Sequence, residues 1–232
     1  MDWRMVGAGL AALILLASAS AYVLIPRDAG PCPRPAQMEV GSITKLPDPR
    51  RGGGPSLEEA LLWRRSIREY SGEPLTIQEI SQLLWAAQGI TDPRGLRTAP
   101  SAGGTYPLEI YIVVGKVEGL SAGVYKYRPH DHSIAMIREG DKRAELAEAA
   151  LGQGWVRAAA IDIVISADYG RTTARYGERG VRYVHMEAGH AAQNLLLQAA
   201  ALGLGAVPVG AFDDDKIAAI IGSPPSERPL YV

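Results

Sequence analysis

Cysteine is all but missing from this chain of 232 residues. Cys32 stands alone, which excludes an intrachain disulfide framework and any metal site built on several thiolates. Histidine is scarce too. His130 and His132 sit in a predicted turn, and His185 and His190 stand five apart on a predicted helix. That spacing does not put them on one face as ligands at i and i+4 would be, so no metal is expected. No complete Gly-x-Gly-x-x-Gly or P-loop pattern occurs, which removes the warrant for a Rossmann or NTPase reading. A bulk excess of either charge is also missing: 24 Lys and Arg against 25 Asp and Glu leave a formal net charge of −1. No nucleic-acid partner is expected, and any basic cluster is a local feature.

What is present divides the chain in three. Residues 5–25 carry no charge; at about 1.5 Å per residue they reach roughly 30 Å, the thickness of a bilayer core. Residues 1–27 therefore read as a single-pass transmembrane anchor. A removable signal peptide is the alternative, because Ala17-Ser-Ala19 and Ala19-Ser-Ala21 resemble cleavage sites. Arg27, Arg34 and Lys45 follow the run against Arg4 before it, which places the catalytic domain on the cytoplasmic side, with an exported form left open. Residues 28–55, rich in proline and with a Gly52-Gly-Gly54 run, read as a tether with no core of its own. Residues 56–232 form the globular domain, since 47% apolar content is enough for one sizeable core.

Within that domain Ser56-Leu-Glu-Glu59 and Thr76-Ile-Gln-Glu79 are capping boxes, and they predict helices over 57–65 and from 77 to Gly89. Alternation predicts a strand over 108–114, and 123–127 with 133–137 reads as a hairpin. A helix is expected over 141–151, a buried strand over 161–167, a long Ala-rich helix over 181–202, a short strand over 206–210, a helix after Asp213 and a strand from 229. The polar segment 168–182 has no predicted element. Interspersed strands and helices with a hairpin among them give α+β, a sheet packed against helices.

Two stretches carry chemistry. Arg64-Arg65-Ser66-Ile67-Arg68 puts three guanidinium forks and a hydroxyl within five residues, a set suited to a phosphate. The same cluster also suits a solvated helix end. Ala99-Pro-Ser-Ala-Gly-Gly-Thr-Tyr-Pro107 is a loop of small residues that lets backbone approach a flat ligand; it also reads as a plain surface loop.

In this order, the stretches resemble the nitroreductase family of FMN flavoproteins. Arg64 to Arg68 is similar to the family's phosphate-binding opening, and Pro100-Ser101-Ala102-Gly103-Gly104-Thr105 to its loop under the flavin. Gln193-Asn194-Leu195 and Leu202-Gly203-Leu204-Gly205-Ala206-Val207-Pro208-Val209-Gly210-Ala211 resemble its long helix and flavin-side strand. The closest branch is the SagB-type dehydrogenases, which oxidise azoline rings in modified peptides; Arg175-Tyr176-Gly177-x-Arg179 and Glu187-Ala188-Gly189-His190 are similar to that branch.

The resemblance implies a homodimer with FMN in a groove at the subunit interface. It implies Arg64, Arg65, Ser66 and Arg68 on the phosphate, Pro100, Ser101, Ala102, Gly103 and Thr105 along the ribityl and ring, and Pro208, Val209, Gly210 and Ala211 at the flavin edge. The branch's expected Lys-Tyr acid/base pair reads Arg175-Tyr176 here, so Tyr176 is the expected base and Arg175 a fixed charge. Some nitroreductases carry a glutamate where this chain has Gly210, so no carboxylate role carries over. The expected function is FMN-dependent hydride transfer on a small-molecule or modified-peptide substrate. The alternatives are an NAD(P)H-dependent nitro or quinone reductase and a non-catalytic flavin-binding or interaction domain at the membrane.

Overall fold

The structure, a computed structural model, describes residues 41–232. The uncharged run at 5–25, and the tether as far as residue 40, lie outside the described residues. No helix among those described is long and apolar enough to cross a membrane.

Helices begin where the sequence places caps. α1 (Leu57–Trp63) opens on Ser56, whose hydroxyl accepts from the Glu59 amide at 3.1 Å while the Glu59 carboxylate accepts from the Ser56 amide at 2.8 Å. α2 (Ile77–Gln88) repeats this with Thr76 and Glu79 at 3.3 and 2.7 Å. Each cap satisfies amides that a helix start leaves unpaired and contributes about 0.5–2 kcal/mol. α2 stops at Gly89, where a Cβ would fall 2.2 Å from the Trp85 ring.

Among the described residues six strands follow one another: β1 (Ile43–Lys45), β2 (Leu108–Val114), β3 (Gly123–Arg128), β4 (Ser133–Glu139), β5 (Ile161–Asp168) and β6 (Glu227–Tyr231). They form one sheet in the order β1-β4-β3-β2-β5-β6, every pairing antiparallel. The remaining helices are α3 (Arg143–Ala149), α4 (Gly154–Ala158), α5 (Tyr169–Tyr176), α6 (Arg179–Ala201) and α7 (Asp214–Ile221).

β2 explains the layering. Leu108, Ile110, Ile112 and Val114 pack with Ile80 and Leu84 of α2 and Ala188 and Ala191 of α6. Tyr111 and Val113 turn to a second core with Leu146 of α3, Val156 of α4 and Ile217 of α7. A strand covered on both faces buries its whole length, and each such side chain contributes about 1.5–3 kcal/mol. The expected α+β arrangement, a sheet sandwiched by helices, is the one observed.

Four local expectations need correction. The stretch read as tether contains β1, whose Ile43, Thr44 and Lys45 pair with Ala135, Ile134 and Ser133, and Leu46 beside it is buried in the core. Proline-rich flanks hid a three-residue edge strand. Residues 169–176 are helical as α5, capped by Asp168 on the Gly170 amide. Only Thr172 of that helix is buried, so it carries no apolar stripe to read. The short helix α4 lies between the helix expected over 141–151 and the strand expected over 161–167, where no element was expected. Residues 206–210 form no strand: Pro208 has no amide to continue a ladder, and the segment is held at isolated points instead.

Candidate functional site

The arginine stretch leaves α1 and runs extended beside the chain segment after α6. The Ile67 amide donates to the Ala206 carbonyl at 3.0 Å, and Ser66 bridges Ala206 in parallel. Gly205 permits this approach, since a Cβ there would lie 2.8 Å from the Ile67 side chain. The chain then turns back onto the sheet: Val209 and Val232 exchange both amide hydrogen bonds, at 2.7 and 3.0 Å.

Donors in this group are left over. Arg64, Arg65 and Arg68 form no ion pair among the described residues. Arg65 donates to the carbonyls of Leu62 and Arg64 at 2.9 and 2.7 Å, so it closes the helix end as the plain reading of the cluster requires. Arg68 lies over the Trp155 ring at 5.3 Å, a cation–π contact that leaves its edge free to donate. The amides of Gly210 and Ala211 donate to no group among the described residues. Val209 is different: its side chain is buried in the second core and its amide is taken by Val232, so its backbone is already engaged where it borders the cavity beside this group.

Beside this group lies a cavity of about 400 Å³ walled by Ile67, Tyr70, Trp155, Asp162, Ala206 and Pro208 among others. Burial holds the Asp162 carboxyl well above the usual carboxylate range, with Arg143 opposing.

The second group sits at the Asp168 end of β5. Residues Ala102–Gly104 make one tight turn, with Gly103 left-handed at φ 62°. The Arg175 guanidinium donates to the Gly103 carbonyl at 3.1 Å. A Cβ on Gly103 would fall 2.6 Å from the Tyr176 hydroxyl. Thr105 donates to the Ala102 carbonyl at 3.0 Å and shares a 2.8 Å hydrogen bond with Thr172 of α5. Ser101 accepts from the Tyr106 amide at 2.9 Å. Tyr176 meets Tyr183 edge to face at 5.2 Å, and the Arg175 guanidinium lies 5.5 Å from the Tyr176 ring centre. The expected acid/base pair therefore rests on the expected flavin loop.

Thus the chain brings the sequence-selected residues together in two groups rather than one. Arg64 to Arg68 and residues 205–211 form the first, and residues 101–105 with Arg175 and Tyr176 the second; no hydrogen bond among the described residues joins them. Glu187 was missed as a site residue. It is 2% exposed on α6, and burial pushes its carboxyl up to about 7 while the Ser101 hydroxyl and Arg97 pull the other way. The available signal was a carboxylate among the small residues of a helix face, Glu187-Ala188-Gly189.

Against known proteins, the Nitroreductase family model matches residues 61–232. A Methanocaldococcus jannaschii protein, MJ1384, described as a nitroreductase, is 55% identical over 165 residues, 71% of this chain and 83% of that one. A solved Ralstonia eutropha structure described likewise superposes with a TM-score of 0.73 at 32% identity, covering 87% of this chain and 92% of that one. An Anabaena variabilis structure matches at 38% identity and a TM-score of 0.67 over 75% of this chain, which spans only 36% of it. More distant is TfxC, a trifolitoxin operon protein of Rhizobium leguminosarum bv. trifolii, at 26% identity over 83% of this chain and 58% of its own length. A family match over most of the described residues, with a 55% identical relative and a solved structure that superposes over most of the chain, makes this chain a member of the nitroreductase family of oxidoreductases.

Proposed function

We propose that this chain is an FMN-dependent oxidoreductase whose site is completed by two copies, and that it acts as a SagB-type dehydrogenase on azoline rings of modified peptides. The observation that carries the reading is the contact of Arg175 and Tyr176 with Gly103. That contact supports a proton-transfer role for Tyr176 beside the loop that the resemblance assigns to the flavin.

The residues present fit the cofactor. Unpaired guanidinium groups of Arg64 and Arg68 beside the Ser66 hydroxyl match a phosphate. The free amides of Gly210 and Ala211 match the flavin edge and favour the negative charge that reduction places there. When bound, FMN supplies the hydride acceptor at its N5. The chain supplies the rest: the Tyr176 oxygen takes the ring proton, and Arg175 fixes a positive charge beside its ring.

Two copies follow from the split of the site and from an exposed apolar face. Leu57, Leu61, Leu62 and Trp63 of α1 are 49–68% exposed, and Val181 and Met186 of α6 are 40% and 53% exposed. The two helices pack against each other, so the apolar area is shared between them, as a self-association surface would be. The uncharged run at residues 5–25 supports anchorage of this dimer to a membrane, with the domain on the cytoplasmic side.

The relationship to TfxC supports the peptide reading. The 55% identity to a protein described as a nitroreductase favours a second one, NAD(P)H-dependent reduction of nitro compounds or quinones. The purified full-length chain separates them. Flavin absorption near one FMN per chain is expected, with oxidation of a synthetic azoline peptide needing no added reductant. Consumption of NAD(P)H with quinones or nitroarenes alone would sink the peptide reading. A colourless chain that also fails to take up FMN would sink both.

A further inference from the structure

Between Gln88, Arg97, the start of β2 and the β3–β4 turn lies a second cavity of about 410 Å³, which shares no wall residue with the first. Its walls include Arg97, Lys126, Arg128 and Arg171 against the carboxylates of Glu109 and Asp131. Most of these charges are spoken for. Lys126 pairs with Glu109 at 3.1 Å and with Glu227 at 2.8 Å; Arg171 pairs with Glu109, and Arg128 with Asp131.

Arg97 is the exception. It forms no ion pair among the described residues. One end of its guanidinium donates to the Gln88 side-chain carbonyl at 2.8 Å, and its face covers the Tyr106 ring at 4.5 Å. Its Nε is buried without a hydrogen-bond partner, and so is the Nε2 of the fully buried Gln88. The carboxylates that act on it are not dedicated to it: Glu109 already serves two cations, and burial raises the Glu187 carboxyl to about 7 against the pull of Arg97. Arg97 is half-buried, and a cation partly withdrawn from water gains from a counter-charge, while its buried Nε and the Nε2 of Gln88 need acceptors.

We propose that this cavity is an oxyanion site, separate from the arginine clamp at Arg64–Arg68, that seats a carboxylate or phosphate group against Arg97 and Gln88. Tyr106 couples it to the flavin loop. Its ring lies on Arg97, its amide donates to Ser101, and its carbonyl accepts from Arg171 at 3.0 Å. An acidic group held here would brace that loop. The site does not depend on the flavin reading, because no residue of the clamp takes part.

The test uses the full-length chain carrying Arg64→Gln, Arg65→Gln and Arg68→Gln, which removes the competing clamp. Inorganic phosphate and malonate are titrated separately while Tm is followed. A saturable rise of about 5–10 °C at roughly one hundred times the Kd is expected, and adding Arg97→Gln should abolish it. Saturation by phosphate, or by malonate alone, supports the site and identifies the oxyanion. If Arg97→Gln does not fold, Arg97→Lys, which keeps the charge and loses the fork, should weaken binding at least about tenfold. Broadening of the phosphate ³¹P resonance by the triple variant checks the binding without any change at Arg97. No saturable response to either anion, or a response that Arg97→Gln or Arg97→Lys leaves intact, overturns the proposal.

Discussion

Around Arg68 the donors have nothing to receive them among the described residues, whereas around Gly103 nearly every polar group is already engaged. Arg64, Ser66 and Arg68 have no hydrogen-bonded partner for their side chains among the described residues, and Gly210 and Ala211 have free amides. Across the fold, Gly103 is held by Arg175, Thr105 by Thr172, and Tyr106 by Ser101. The first arrangement stores binding capacity, since unspent donors gain most when an anion arrives. The second stores geometry: a loop fixed by its own hydrogen bonds does not reorganise when a ring settles on it. A site divided in this way should answer differently to damage in its two halves.

Tyr176 gives the largest expected effect. Tyr176→Phe keeps the ring contact with Tyr183 and removes the proton-transfer group. General acid–base catalysis is worth about 10²–10⁴ in rate, so kcat should fall by that order while FMN content holds. Stopped-flow reduction of the flavin and an absorption ratio read the two quantities separately. A fall in FMN content with unchanged kcat would reverse the roles assigned to the two groups.

The clamp should show the opposite split. Arg68→Gln removes a charge-assisted donor, worth about 1.5–3 kcal/mol. The Kd for FMN should rise by about 10–100-fold, with kcat at saturating FMN nearly unchanged and the effect shrinking at high salt. Fluorescence titration of the apoprotein measures this. Equal weakening by Arg65→Gln is not expected, because Arg65 already spends two donors on the end of α1.

Next in size is Gly103→Ala. The residue is left-handed, and a methyl group would meet the Tyr176 hydroxyl at 2.6 Å and Arg175 at 2.9 Å. Forcing a side chain into that conformation costs about 1–2 kcal/mol, so Tm should fall by a few degrees in a thermal melt. Displacement of Tyr176 should lower kcat as well. The same change at Gly154, where a Cβ meets nothing within 4 Å, should leave both quantities near wild type.

These contrasts also mark what the sequence discloses. Capping boxes at Ser56 and Thr76 and the apolar alternation of β2 are local signals, and the fold obeys them. α5 escaped because an exposed helix needs no apolar face, and β1 because a three-residue edge strand has too few positions to show a period. The site motifs were legible as motifs. Their separation was not, since order along a chain does not say which end of a sheet each loop reaches. Arg97 was legible only in three dimensions, and for Glu187 the sequence showed a carboxylate among small residues but not its burial: what matters at each is the partner it lacks.

The smallest expected effect is a slope rather than a step, and it probes whether the engaged half of the site carries a cost. Burial raises the Glu187 carboxyl from 4.5 to about 7. The folded chain therefore holds this proton more tightly than the unfolded chain does. Wherever the folded state binds more protons, stability falls as pH rises. The contribution of Glu187 is thus most favourable below pH 4.5, is lost progressively up to about pH 7, and is flat above it. Glu187→Gln, which keeps the shape and cannot ionise, should flatten the curve of Tm against pH over that window and be the more stable form at pH 8. If the wild-type and variant curves run parallel, Glu187 is charged in the folded chain at neutral pH. Arg97 would then have the counter-ion that the oxyanion site assumes it lacks.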